Sequence, residues 1–180
     1  MAKDSYLPQL RKSFEALIDK SELDERQRDF FRSRWLDQVV WMEGRAGKAQ
    51  RRYYRLRVIT VVGAVIVPAL VSLTTLDDWP GQAAQVALWI LSLVVAVSAA
   101  IEGFFQFGQR WRNYRGTVER LKVEGWLYLQ SAGPYAGTSH GESYGAFAAR
   151  VEELIKSDVD VYLTEVAAER QKREEASPAA

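Results

Sequence analysis

The chain has 180 residues, with 24 Lys and Arg against 23 Asp and Glu, one histidine and no cysteine. Disulfides, thiol chemistry and a histidine-based metal cluster are thereby excluded, and a formal net charge of +1 does not argue for nucleic acid as a partner. The average hides a partition: residues 1–57 carry a net charge of +5 and residues 106–180 one of −1, with a nearly uncharged apolar middle at 58–105.

The N-terminus, with Lys3, Asp4 and Pro8, lacks the apolar core of a cleavable signal peptide. Leu7, Leu10, Phe14 and Leu17 recur at spacings of three and four, which predicts one apolar helix face over 6–18. Ser21 to Asp24 reads as a break and restart, with Ser21 or Asp24 available as an N-cap. No proline follows until Pro68, so the helix beginning near Asp24 is expected to run without interruption into the apolar middle. Within it, Trp35, Val39, Met42, Ala46, Ala49, Tyr53 and Leu56 have the spacing of a coiled-coil seam.

Two uncharged apolar runs follow, 58–76 (19 residues) and 79–101 (23 residues), separated only by Asp77 and Asp78. A bilayer's hydrocarbon core takes about 20 helical residues to cross. The runs therefore predict a transmembrane hairpin over 58–105 with an outer turn at 77–82. Arg51, Arg52, Arg55 and Arg57 precede the first span and Arg110, Arg112 and Arg115 follow the second, whereas the turn has no basic residue. Basic residues stay on the cytoplasmic side, which places both termini in the cytoplasm of an inner (plasma) membrane protein and suits anionic inner-leaflet lipid. Trp79, Trp89, Phe104, Phe105, Phe107 and Trp111 supply interfacial anchors.

Several residues in the hairpin bear on function. Pro68 lies mid-span and removes one backbone donor; it is the gating-hinge candidate, a static kink being the other reading. Ser92, Ala96 and Ala100 make a small-residue face that lets helices approach closely. That face seats either the first span near Gly63 and Ala64 or a neighbouring subunit. Ser98, Glu102, Gln106 and Arg110 are spaced by four, one continuous stripe on a helix. Ser98, Glu102 and Gln106 are accordingly the pore-lining candidates, a ring of Glu102 carboxylates favouring cations. The competing reading is an interfacial ion pair, because folding the hairpin back brings Arg57 close to Glu102.

Beyond the second span, Phe107, Trp111, Tyr114, Val118, Leu121, Gly125 and Tyr128 repeat the seam spacing. A fold-back near 79–81 sets Tyr53 opposite Phe107, Ala49 opposite Trp111, Ala46 opposite Tyr114, Met42 opposite Val118, Val39 opposite Leu121 and Trp35 opposite Gly125. Large residues face small ones at three of these levels, as close packing requires. The hairpin is thus expected to continue as a cytoplasmic stalk of about 20 residues per strand, roughly 30 Å long; the same seams would equally suit a neighbouring subunit. Helix is expected to about Gln130, where Ser131-Ala132-Gly133-Pro134 ends it. The stretch Gly137 to Gly145 reads as a loop containing His140, without the ending of a phosphate cradle. A last amphipathic helix carries Phe147, Val151, Leu154, Tyr162 and Val166, and its tail, Gln171 to Ala180, is expected to fray.

The expected fold is an all-α membrane protein: a two-helix transmembrane hairpin extended into a cytoplasmic antiparallel bundle, with N- and C-terminal amphipathic helices packed on it. It divides into a cytoplasmic N-terminal segment (1–57), the hairpin (58–105) and a cytoplasmic C-terminal segment (106–180).

Arg51-Arg52-Tyr53-Tyr54-Arg55-Leu56-Arg57, Ile66-Val67-Pro68-Ala69-Leu70, Trp111-Arg112-Asn113-Tyr114-Arg115, Glu119 to Glu124, Gly133-Pro134-Tyr135 and Phe147 to Glu152, together with the hairpin, resemble the SLATT domain. The resemblance covers about residues 25–165 and rests on diffuse motifs. It implies a two-span effector of prokaryotic nucleotide-signalling conflict systems, one that oligomerises and forms a pore. No appended sensor domain is visible, so a signal would arrive from a signalling or sensor protein in trans or through the bundle. Two functions stand on this sequence. One is a homo-oligomeric pore or ion-channel-like effector, cation-selective and gated through its bundle; the other is a passive membrane anchor or scaffold whose bundle recruits a partner. No enzyme activity, cofactor or metal is expected, since no nucleophile-base pair or nucleotide loop appears.

Overall fold

The computed structural model describes residues 6–74 and 79–176, and all regular structure among them is helical. The chain divides into two units, Met1–Gly44 with Asn113–Ala180, and Arg45–Arg112.

In the first unit, α1 (Tyr6–Lys20) ends where the Ser21 hydroxyl donates to the Ile18 carbonyl at 2.6 Å. Of the two candidate caps, Asp24 starts α2 (Glu25–Phe30). Its carboxylate accepts from the Gln27 N–H at 2.7 Å, and the Gln27 side chain accepts from the Asp24 N–H at 3.2 Å. This reciprocal box satisfies two donors that a helix start leaves open. The expectation of uniform α-helix from here needs a correction. Phe31–Leu36 is a π-helical turn, after which α3 (Asp37–Leu73) begins. Bonding five residues apart puts Leu36 as well as Trp35 beside Phe31, and all three are buried.

That turn faces α5 (Phe107–Leu129) and α6 (His140–Ala176) across one apolar core, which also takes Phe14 and Ile18 of α1. Phe147 stacks on Phe31 at 4.7 Å and on Tyr128 at 4.3 Å between ring centroids. A short 3₁₀ turn, Gly133–Tyr135, closes the α5–α6 connection. There the Tyr135 hydroxyl donates to the buried Glu124 carboxylate, and the Tyr128 hydroxyl donates to the His140 carbonyl at 2.7 Å.

The expected loop at Gly137 to Gly145 is shorter than the sequence suggested, because α6 starts at His140. Ser139 caps it: its N–H donates to the Glu142 carboxylate at 3.0 Å and its hydroxyl accepts from the Glu142 N–H at 3.3 Å. At the other end α6 is helical through Ala176. Residues 177–180, the turn residues Asp77 and Asp78, and the side chains of Trp79, Tyr162 and Val166 lie outside the described residues.

The second unit contains the apolar part of α3, all of α4 (Trp79–Phe105) and the start of α5. Two helices, Glu25–Leu73 and Gly81–Phe105, are long and apolar enough to cross a membrane. Only 6% and 11% of their most apolar stretches are buried within the chain. α3 continues through Pro68 as one element.

Candidate functional site

Within the second unit, burial picks out a seam on each apolar helix. From residue 51 along α3 and into the turn after it, the protected positions are Tyr53, Leu56, Thr60, Gly63, Val67, Leu70 and Thr74, and every other position from 51 to 73 is exposed. On α4 they are Gly81, Ala84, Leu88, Leu91, Val95, Ser98 and Glu102. Both sets alternate steps of three and four, the period of paired helices. Gly63 fixes the contact: a Cβ there would overlap Val95 and come within 3.8 Å of Leu91.

This seam bears on one open alternative and one expectation. The small-residue face does not seat the first span, because Ser92, Ala96 and Ala100 are all exposed, as is Ala64, and Gly63 packs instead against Val95 and Leu91. Nor do Ser98, Glu102 and Gln106 make one open, continuous stripe. Ser98 is only 6% exposed and Glu102 is half-buried, both on the side of α4 that carries the seam. Helix α4 then stops at Phe105, one residue before Gln106.

The stop has a defined local cause. Gln106 has φ +49, a left-handed conformation uncommon outside glycine. Its N–H still donates to the Glu102 carbonyl at 2.8 Å, which closes α4, and its own carbonyl accepts from the Arg110 N–H at 3.0 Å, which opens α5. The Glu102 carboxylate reaches across the break. Its Oε1 accepts from the Gly108 N–H at 3.2 Å, one of the donors the new helix start leaves open, at an end where the helix dipole favours negative charge. The second oxygen, Oε2, is buried with no hydrogen-bond partner. No ion pair joins Glu102 to Arg57, which is exposed, so the expected Arg57–Glu102 pair is replaced by this contact across the break.

Aromatic rings brace the same place. Tyr53 lies against Gly108, where a Cβ would come 2.8 Å from its Cε2, and it stacks on Trp111 at 6.2 Å. Tyr53 was expected opposite Phe107; that ring instead stacks on Phe105 at 5.4 Å with the Arg52 guanidinium 5.5 Å above it. Among the other packing candidates, Ala46 and Ala49 are buried, and Tyr114 meets Trp41 edge to face at 6.0 Å. In the first unit Trp35 lies on Gly125, so closely that a Cβ would overlap its ring, and Trp35 Nε1 donates to the Leu121 carbonyl at 2.9 Å.

A helical protein with two helices able to span a membrane is the class these features define. Residues 37–143, more than half of the chain, match the family described as "Protein of unknown function (DUF4231)", and the chain belongs to that family. No curated protein and no solved structure matches.

Reasoning from sequence missed the π-helical turn, the break at Gln106 and the helical start at His140. Ser139 and Glu142 did carry the capping-box spacing for the last of these, masked by Gly137, Gly141 and Gly145. Nothing in the residue types marked the break.

Proposed function

We propose that this chain is a non-enzymatic, multi-pass protein of the inner (plasma) membrane, both termini cytoplasmic, whose copies assemble into an oligomeric pore-forming effector of the SLATT type. One observation carries the reading: along both apolar helices the aliphatic side chains off the seam are exposed, Val65 being 72% exposed and Leu93 65%. In water such a surface would aggregate; in lipid it is the ordinary state of a spanning helix. Two spans cannot enclose an aqueous pathway alone, so conduction requires several copies in closed symmetry. The exposed Ser92, Ala96 and Ala100 face suits close approach of a second copy.

A second reading, a membrane anchor whose helical bundle recruits a partner protein, is favoured by the inward placement of Ser98 and Glu102, which removes the best ion-attracting groups from the outer face. Reconstitution into a planar bilayer separates the two. Reproducible single-channel currents support the pore, and a silent, tight bilayer holding the inserted protein supports the anchor.

A further inference from the structure

In the unit formed by Met1–Gly44 and Asn113–Ala180, cations meet acids across helices: Arg34 pairs with Glu152 at 2.6 Å, Arg115 and Lys122 pair with Glu43 at 2.7 Å each, and Arg11 pairs with Asp37. The ends of the second unit are different. Lys48, Arg51, Arg52, Arg55 and Arg57 on α3 and Arg110 and Arg112 on α5 are all exposed, and none forms an ion pair among the described residues. The acid at this end, Glu102, is half-buried, with one oxygen already engaged by the Gly108 N–H. Like charges at helical spacing repel. Among the described residues, then, no side chain supplies counter-charge to this collar in an ion pair, which leaves it open to an external source.

Its position says from where. Arg57 is followed directly by Val58 and Ile59, where the exposed aliphatic run of α3 begins, and Phe104 and Phe105 lie exposed at the matching end of α4. Tyr54, also exposed, sits among the arginines. From Arg51 to Arg57 the helix rises about 9 Å, close to the roughly 5–8 Å headgroup layer on each side of a hydrocarbon core. Composition adds chemistry to position. Orientation in a membrane would be served equally by lysine, yet all but Lys48 in this set are arginine. Guanidinium forks grip two phosphate oxygens at once, which an ammonium does not.

We propose that this collar binds the headgroups of anionic phospholipids in the cytoplasmic leaflet, arginine forks on phosphodiester oxygens, and holds them as a retained lipid shell. The proposal rests on the membrane reading given above. The test begins with the full chain mixed with preformed phosphatidylcholine vesicles, with and without phosphatidylglycerol, and scored for alkali-resistant insertion. Detergent-purified protein is then given equal amounts of the two lipids, and those retained are counted by native mass spectrometry.

Both lipids carry the phosphodiester, and only phosphatidylglycerol carries a net charge. The expected result is insertion into both vesicles and about tenfold preferential retention of phosphatidylglycerol, in line with the attraction of surface cations for anionic lipid. The combined Arg51→Gln, Arg55→Gln, Arg57→Gln and Arg110→Gln variant should insert and keep its helix content but fall to about twofold preference, with the corresponding four lysine substitutions in between. Equal retention of the two lipids by the natural chain, unchanged preference in the glutamine variant, or full preference in the lysine variant would each overturn the proposal. A chain that enters neither vesicle overturns the membrane reading itself, and this one with it.

Discussion

Trp35 shows how a single residue sets tolerance in the first unit. Its ring is fully buried on the bare backbone of Gly125, and its indole N–H is satisfied by the Leu121 carbonyl, so shape and polarity are both used up. Gly125→Ala inserts a methyl group where the ring already lies, and overpacking of this kind costs about 1–3 kcal/mol. Trp35→Phe keeps most of the apolar area and loses one buried hydrogen bond, about 0.5–1.5 kcal/mol. Thermal unfolding followed by near-ultraviolet circular dichroism should therefore rank the natural chain first, Trp35→Phe second and Gly125→Ala last. Charged residues of the same unit predict an acid response. The hydrogen bond from Arg34 holds the Glu152 carboxyl below its ordinary value of 4.5, and the N–H and hydroxyl of Ser139 do the same for Glu142. A carboxyl depressed in the fold adds stability above its unfolded value and loses it as pH falls through the folded one. Melting temperature should thus hold down to about pH 4.5 and decline below it. Arg34→Ala should shallow that decline while costing at most about 1 kcal/mol at neutral pH, since the pair is open to solvent.

At the scale of elements, the break between α4 and α5 is the feature with most at stake, because it joins an apolar helix to a charged one through a residue in a left-handed conformation. A β-branched side chain tolerates that conformation worst, whereas asparagine visits it readily. Gln106→Val should cost about 1–2 kcal/mol or straighten the junction, and Gln106→Asn should be close to neutral. Glu102→Ala removes the acceptor for the Gly108 N–H, a helix-start loss of about 0.5–2 kcal/mol. Site-directed spin labels at positions 101 and 110, read as a distance distribution, report whether the junction straightens.

These elements also show what was legible beforehand. The seams were readable because heptad spacing survives any single residue, and Trp35 opposite Gly125 followed from register alone. Asp24 was nameable as a cap because its side chain acts on its own neighbours. The Gln106 break was not, since glutamine has no turn preference and one of the groups packed at the break, Tyr53 against Gly108, comes from a helix distant in sequence. The π-helical turn escaped for the same reason: Phe31, Trp35 and Leu36 are buried by α5 and α6, and tertiary packing overrides a local period. Ser98 and Glu102 were read as an outward stripe because spacing by four fixes a common face but not which way that face looks.

For the molecule as a whole, what matters is which surfaces the chain leaves for others. Gly63, Val95 and Ser98 are consumed by the internal seam, so self-association has to use positions the seam leaves open. Ser92, Ala96 and Ala100 are such positions, and in lipid close helix approach depends on small side chains there, with no hydrophobic drive to compensate for their loss. Ala96→Leu adds bulk to an exposed site and should leave the unfolding temperature of the single chain unchanged. It should nonetheless reduce the mass of the nanodisc-embedded particle from an oligomer to a smaller species, and abolish single-channel currents in parallel. Mass photometry of the natural chain and this variant, at matched protein-to-lipid ratios, decides the matter. A natural chain that is already monomeric would remove the pore, because two helices sealed along one seam leave no room for water between them, and would leave the membrane anchor as the function this architecture can perform.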